Sequence, residues 1–245
     1  MAVRDELERP AFYALRSGGW RDLVTLLHPP YTAWHLSYVA LGAAAAPEVH
    51  VDRLLAALGA FLLAVGICAH ALDELNGRPL ATRLSDRTLW GLALTSLTGA
   101  VAIGVAGIFI VSPSLIVFVA AGAFIVVAYN LELFGGRFHS DFWFAAAWGA
   151  FPALTSYWAN ALTIEAAGLL VTAGCFALSV AQRKLSTPVR ELRRRTASVT
   201  GEQRLVDGRV LELSAARLAA PLDAALGALS VALVLAAAGL VIARL

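Results

Sequence analysis

Charged residues are scarce in this chain of 245 residues. Asp, Glu, Lys and Arg make up 15% of it, whereas a soluble domain carries roughly a quarter. Hydrophobic residues make up 59%, and the mean hydropathy is +0.73. There is too little polar sequence to cover so much apolar surface in water, so the composition excludes an ordinary soluble domain. We expect no nucleic-acid partner.

Cysteine is also scarce, with two residues in the whole chain. Cys68 and Cys175 both lie inside apolar runs, where a thiol usually serves as a small packing residue. We therefore expect neither a disulfide nor a nucleophilic thiol.

Apolar runs long enough to cross about 30 Å of hydrocarbon recur along the chain. They lie at about 31–46, 54–72, 89–111, 115–133, 142–162, 166–181 and 222–245. Before them, Phe12, Trp20 and Leu23 alternate with arginines, a composition typical of an amphipathic helix in the membrane interface. The predicted fold is an all-α integral membrane protein of about seven transmembrane helices. It forms a single domain, 1–245, with an interfacial helix at about 5–27.

Basic residues are distributed very unevenly between the predicted loops. If the N-terminus and the even-numbered helix ends share one side, the other side holds only Arg53 and Arg244 of the 19 Lys and Arg. The positive-inside rule then predicts a multi-pass protein of the cell membrane with a cytoplasmic N-terminus and an external C-terminus. The loop at about 185–217 is cytoplasmic in this topology, and Asp207-Gly208 between β-formers predicts a hairpin within it.

Polar side chains collect at three helix ends on the predicted cytoplasmic side. At the end of the second span, His70, Asp73 and Glu74 share one helical face. A second group joins the fourth and fifth spans, and a third follows the sixth span. The second group comprises Tyr129, Asn130, Glu132, His139 and Asp141, and the third comprises Arg183, Lys184 and Arg190.

Each group has two interpretations. Carboxylates and histidines at span ends can simply pair and anchor at headgroup depth, where a charge costs far less than in mid-membrane. Together, they can instead hold a divalent metal or handle protons. The basic residues can anchor the chain to anionic lipids, or they can bind a phosphate or diphosphate, which guanidinium groups suit well. The residues alone leave both interpretations open.

The order of these motifs resembles the UbiA superfamily of intramembrane prenyltransferases. Asp73 followed by Arg78-Pro79-Leu80 is similar to the family's first Asp-rich motif and its turn, and Tyr129-Asn130 is similar to the step that closes its fourth span. The resemblance covers about Leu27 to Thr200. His70 stands where the family has an acid, and the region of the second Asp-rich motif, at about 182–195, is basic. The family also usually has nine spans.

The resemblance implies a UbiA-like helical bundle in which Mg²⁺ ions bind a prenyl diphosphate while an acceptor attacks the allylic carbon. A membrane isoprenoid is therefore the expected substrate. A divalent metal is the expected cofactor, either Mg²⁺ or a transition metal held by His and carboxylates. The implied metal ligands are His70, Asp73, Glu74, Glu132 and His139. The implied substrate-binding residues are Arg78, Tyr129, Arg183, Lys184 and Arg190, and the implied catalytic residues are Asp73, Glu74, Asn130, Glu132 and Asp141.

Two other functions stay open from the sequence. One is a metal-dependent membrane enzyme on the same scaffold that uses no diphosphate. The other is a non-catalytic membrane subunit or transporter that binds a lipid or quinone. Turnover of a diphosphate supports the transferase, metal retention without diphosphate affinity supports the second function, and neither property supports the third.

Overall fold

The structure, a computed structural model, describes residues 10–245. Within this range the chain folds into eight helices and one two-stranded hairpin. The helices are α1 (Trp20–Leu26), α2 (Pro29–Ala45), α3 (Val51–Leu75), α4 (Asp86–Ile110), α5 (Pro113–Asn130), α6 (141–161), α7 (Ala166–Arg194) and α8 (Ala215–Ile242). The strands are β1 (Glu202–Arg204) and β2 (Val210–Glu212).

Five of the helices, α3, α4, α5, α7 and α8, are long and apolar enough to cross a membrane. The prediction of an all-α fold with several membrane-length apolar helices is therefore confirmed. The helix α2 has 17 residues and, like α6, is not among these five. The count of seven spans depends on α2 and α6 and stays a prediction.

The connection between α7 and α8 contains the predicted hairpin. Glu202 pairs with Glu212 and Arg204 with Val210 in an antiparallel register, and Gly208 adopts φ +85° in the turn. This positive φ suits glycine, which has no Cβ to clash. The predicted loop begins later than expected, because α7 continues to Arg194. Its last turn carries Arg193 and Arg194, whose charges are favourable beside the negative end of a helix dipole. We call this end of the helices the hairpin end.

The predicted interfacial helix at 5–27 is only partly within the described residues. Between residues 10 and 27 the helical part is α1, and the segment before it is not helical. Asp22 of α1 is buried, and its carboxylate accepts hydrogen bonds from the backbone N–H of Gly18 at 2.9 Å and of Arg83 at 3.1 Å. These bonds attach α1 to the loop between α3 and α4.

Close contacts between small residues hold α6 between α2 and α7. A Cβ at Gly42 of α2 would overlap the carbonyl of Ala153 in α6. A Cβ at Gly149 of α6 would lie 2.7 Å from the carbonyl oxygen of Cys175 in α7. Such approach of backbones is common between membrane helices, where dispersion contacts drive association.

Two helices contain π-helical turns, Leu62–Ala69 in α3 and Ala145–Ala150 in α6. Such turns are rare and occur often at functional sites. Pro152 follows the second of them after Phe151, and proline within a helix favours a kink. The first π turn includes Val65 and directly precedes His70, and the second includes Trp148, so both set the positions of residues that line the cavities described next.

Candidate ligand-binding site

A polar cavity of about 500 Å³ lies at the hairpin end, among the ends of α2, α3, α5 and α7. Most of the residues singled out by the sequence meet there. His70 and Asp73 come from α3, and Arg183 and Arg190 come from α7. Tyr129 and Asn130 come from the end of α5, and Glu132 and His139 come from the connection between α5 and α6. The structure thus brings members of all three polar segments to one cavity.

Glu74, a predicted metal ligand and catalytic residue, does not line the cavity. Its side chain is fully buried, and its carboxylate accepts hydrogen bonds from the Leu80 N–H at 2.9 Å, the Thr82 N–H at 2.8 Å and the Thr82 hydroxyl at 2.9 Å. Successive residues on a helix point about 100° apart, so Glu74 faces the loop after α3 although Asp73 lines the cavity. Glu74 therefore stabilises the loop after α3 through these hydrogen bonds.

Arg78, Asp141 and Lys184 also lie outside the cavity lining. Arg78 donates a hydrogen bond of 2.6 Å to the Leu84 carbonyl and pairs with Asp86, so it braces the same loop as Glu74. Asp141 pairs with Arg183, with 2.7 Å between Oδ1 and Nε. Lys184 is exposed. Of these three, only Asp141 is connected to the cavity, through Arg183.

The predicted metal ligands that line the cavity do not form a compact set. Glu132 and His139 are neighbours, with 3.9 Å between Oε1 and Nδ1. Within residues 10–245, no three His, Cys, Asp or Glu residues are grouped so that they could hold a metal ion. The protein donors alone therefore do not fit a divalent ion, which would need oxygen ligands from a bound substrate.

One wall of the cavity contains His28, Tyr13 and Tyr31, which the sequence did not assign to the site. The rings of His28 and His70 are stacked, with centroids 4.1 Å apart and planes 8° apart. The Tyr13 hydroxyl and His28 Nδ1 are 2.7 Å apart and form a hydrogen bond. Burial, followed by the neighbouring His70, lowers the pKa of His28 well below 6.5, so this ring is neutral at pH 7. The signal in the sequence that could have found this wall is the polar segment His28-Pro29-Pro30-Tyr31 at the start of α2.

Arginines supply positive charge at the mouth of the cavity. Arg190 donates to the Thr187 hydroxyl at 3.1 Å, and Arg194 donates to the Pro10 carbonyl at 3.2 Å. Neither guanidinium has a carboxylate partner in the described part of the chain. Asp73, which faces the cavity within electrostatic reach of both, makes no ion pair there either. These groups are available to a ligand, and the two guanidinium groups favour an anion.

An apolar cavity of about 150 Å³ adjoins the polar one. It lies between α3, α4, α5 and α6 and is lined mainly by small and aliphatic residues. Gly122 helps to keep it open, because a Cβ there would lie 3.2 Å from the Phe151 ring. Val65 and Trp148 line both cavities. The two spaces are therefore adjacent at these side chains, and one offers a polar surface and the other an apolar one.

No family model, curated protein or solved structure matches this chain. The resemblance to the UbiA superfamily thus rests on the sequence motifs and stays a prediction. Three features of the cavity remain as the basis for a function. They are two arginines without carboxylate partners in the described residues, a nearby unpaired carboxylate, and an apolar cavity beside them.

Proposed function

We propose that this protein is a UbiA-like intramembrane transferase that acts on a prenyl diphosphate. In this proposal, the hairpin end is cytoplasmic, α2 and α6 join the five apolar helices as spans, and the protein resides in the cell membrane. The supporting observation is the polar cavity with Arg190 and Arg194, which adjoins an apolar cavity at Val65 and Trp148. A prenyl diphosphate has the same division between a compact anion and a hydrocarbon chain.

The arginines would neutralise the diphosphate. Guanidinium groups bind phosphate oxygens through paired N–H donors, and they stay charged at any physiological pH. Arg190 and Arg194 can therefore compensate the charge that develops as diphosphate leaves. A divalent ion would add Lewis-acid stabilisation when bound, with Asp73 as its protein ligand and phosphate oxygens completing the shell.

The reaction breaks the bond between the allylic carbon and the diphosphate oxygen, and the electron pair leaves with diphosphate. The acceptor forms the new bond to that carbon and releases a proton, for which Asp73 is a candidate base when it holds no divalent ion. The rings of Tyr129 and Trp148, with centroids 5.4 Å apart, lie where the cavities meet. Their faces can stabilise an allylic cation and exclude water from it.

Binding measurements on matched variants test the phosphate site. Arg190→Gln removes a charge from the cavity, whereas Lys184→Gln removes one from an exposed position on the same helix. In nanodiscs, Arg190→Gln should weaken geranylgeranyl diphosphate binding by about 1.5–3 kcal/mol, the range for hydrogen bonds to charged groups. Lys184→Gln should leave it unchanged, and geranylgeraniol should bind all three proteins alike. Equal affinity of the wild type for diphosphate and alcohol would exclude a phosphate site.

One observation favours a second candidate, a non-catalytic membrane subunit that binds an anionic isoprenoid lipid. Among the described residues, no three His, Cys, Asp or Glu are grouped so that they could hold a metal ion. A protein that only binds a lipid needs no such group. Release of diphosphate from a bound prenyl diphosphate, measured with Mg²⁺ and after chelation, separates the two. Tight binding without release under either condition would favour the binding protein.

A further inference from the structure

Three histidines that line the polar cavity share one hydrogen-bonding arrangement. The Nδ1 atoms of His35, His70 and His139 lie 2.8, 3.0 and 3.1 Å from the carbonyl oxygens of Trp148, Gly66 and Tyr129, respectively. A carbonyl oxygen can only accept a hydrogen bond, so Nδ1 carries the proton of each neutral ring. The Nε2 atom of each ring is then an acceptor. None of the three Nε2 atoms has a partner within residues 10–245, and none is enclosed by protein.

Gln182 adds a fourth unpaired group to the same cavity. Its side chain is 2% exposed, and its Oε1 atom is enclosed without a hydrogen-bond donor in the described part of the chain. Buried polar atoms in folded proteins nearly always have a partner, because an unpaired one forfeits its hydration. The amide nitrogen of Gln182 is not enclosed, so the amide borders the cavity, and a half-turn of this group would present Oε1 to a ligand group that donates to it.

These acceptors lie deeper than the arginines. His35 is six residues inside α2 from Pro29, which is about 9 Å of helix. Gln182 precedes Arg190 on α7 by eight residues, which is about 12 Å of helix. We call His35, His70 and Gln182 the acceptor floor. The cavity thus has donors at its mouth and acceptors at its floor.

Resting on the proposed function, we infer that the acceptor floor binds the second substrate and that this substrate is a neutral compound with several hydroxyl groups. An anion without hydroxyl groups would leave the histidine acceptors of the floor unpaired, and Arg183, the guanidinium next to Gln182, already pairs with Asp141. A cation would have to pass Arg190 and Arg194 at the mouth. An apolar acceptor would leave the floor unpaired, at the cost of its hydrogen bonds. A polyol supplies one donor for each floor residue and carries the hydroxyl that can attack the allylic carbon.

Polyols and their methyl ethers test this inference, because methylation removes the donors and keeps the carbon skeleton. The probes are glycerol, erythritol, ribitol and myo-inositol, each with its fully O-methylated ether. Binding to the full chain in nanodiscs is measured by saturation-transfer NMR. We expect at least one polyol to bind the wild type and its ether to bind at least tenfold more weakly, since several hydrogen bonds are lost together.

Two floor variants and two matched controls locate the site. Gln182→Leu and His35→Phe should each weaken the polyol roughly two- to tenfold, the effect of one neutral hydrogen bond. Gln203→Leu, on an exposed strand, and His50→Phe, before α3, lie outside the cavity and should change nothing. Retention of geranylgeranyl diphosphate affinity shows that each variant is folded.

The outcomes separate this inference from the proposed function. If the wild type binds geranylgeranyl diphosphate but no polyol, or binds ethers as well as polyols, the acceptor floor is not a polyol site and the proposed function still stands. If the floor variants bind the polyol like wild type, the inference is also wrong. If the wild type does not bind geranylgeranyl diphosphate, the proposed function fails instead. The comparison of polyol with ether needs no variant, so a misfolded mutant does not prevent the test.

Discussion

Asp73 and Glu74 are adjacent carboxylates whose replacement should have opposite consequences. Glu74 is fully buried and accepts three hydrogen bonds from Leu80 and Thr82, whereas Asp73 lines the cavity without a hydrogen bond in the described residues. Replacing Glu74 should therefore reduce stability, and replacing Asp73 should reduce turnover. Sequence spacing alone gives the two residues the same role, so the pair provides a direct test of the structure.

The loss of stability expected for Glu74→Ala follows from the hydrogen-bond donors that it would leave without an acceptor. Two backbone N–H groups and one hydroxyl would lose a charged acceptor in a buried loop. Each buried donor left without its acceptor costs about 1–3 kcal/mol, so the two backbone N–H groups alone should cost about 2–6 kcal/mol. Thr82→Val removes one of the three hydrogen bonds and should cost about 1.5–3 kcal/mol. Asp73→Asn breaks no hydrogen bond within the described chain and should change stability by about 0.5 kcal/mol or less.

Unfolding in detergent, followed by tryptophan fluorescence, measures these differences, and diphosphate release measures turnover. Glu74→Ala should unfold much earlier than wild type and, where it remains folded, should still bind geranylgeranyl diphosphate. Asp73→Asn should unfold like wild type and release little diphosphate. The reasoning is refuted if Glu74→Ala has wild-type stability but no turnover, because Glu74 would then act on substrate. Asp73→Asn that is as unstable as Glu74→Ala would refute it equally.

Two further predictions concern topology and packing. Single cysteines at positions 198 and 207 should react with a membrane-impermeant maleimide only from the cytoplasm, and a cysteine at 245 only from outside; Cys68 and Cys175 are buried and give little background. Labelling of all three positions from one side of the membrane would contradict this topology. Gly42→Ala should lower stability by about 1–3 kcal/mol or more, because the new methyl group overlaps the Ala153 carbonyl. Gly174→Ala meets nothing within 4 Å and is its control in the same unfolding assay; equal stability of the two would contradict the close packing of α2 on α6.

Hydropathy predicted the helices well because membrane-length apolar segments are a local property of the sequence. The hairpin could be predicted for the same reason, since Asp207-Gly208 specifies its own turn. The end of α7 could not. Its apolar run stops near Ala181, but the polar continuation to Arg194 remains helical. A polar helical segment beside a cavity has no hydropathy signal that distinguishes it from a loop.

The site was predicted only in part because its geometry depends on distant contacts. His35 is oriented by the carbonyl of Trp148, 113 residues further along the chain. No spacing rule connects these two positions. Lys184, by contrast, is a residue that the sequence assigns to the site and the structure does not. It follows Arg183 in the sequence, but the next position on a helix points about 100° away, and its side chain is exposed. Composition identified the polar segments, and tertiary packing decided which of their members face the cavity.

Several enclosed polar atoms without a partner in the described chain belong to residues of the polar cavity, whereas Ser156 Oγ and Thr172 Oγ1 lie outside its lining. Enclosed atoms without a partner in the described chain include His28 Nε2, Gln182 Oε1 and Asp223 Oδ1, and all three residues line the polar cavity. Each such atom forfeits its hydration, at a cost of about 1–3 kcal/mol for a neutral group. An apolar residue of similar size at Gln182 would avoid that cost. The fold alone therefore gives no reason for an amide at this position, whereas a ligand that donates hydrogen bonds does.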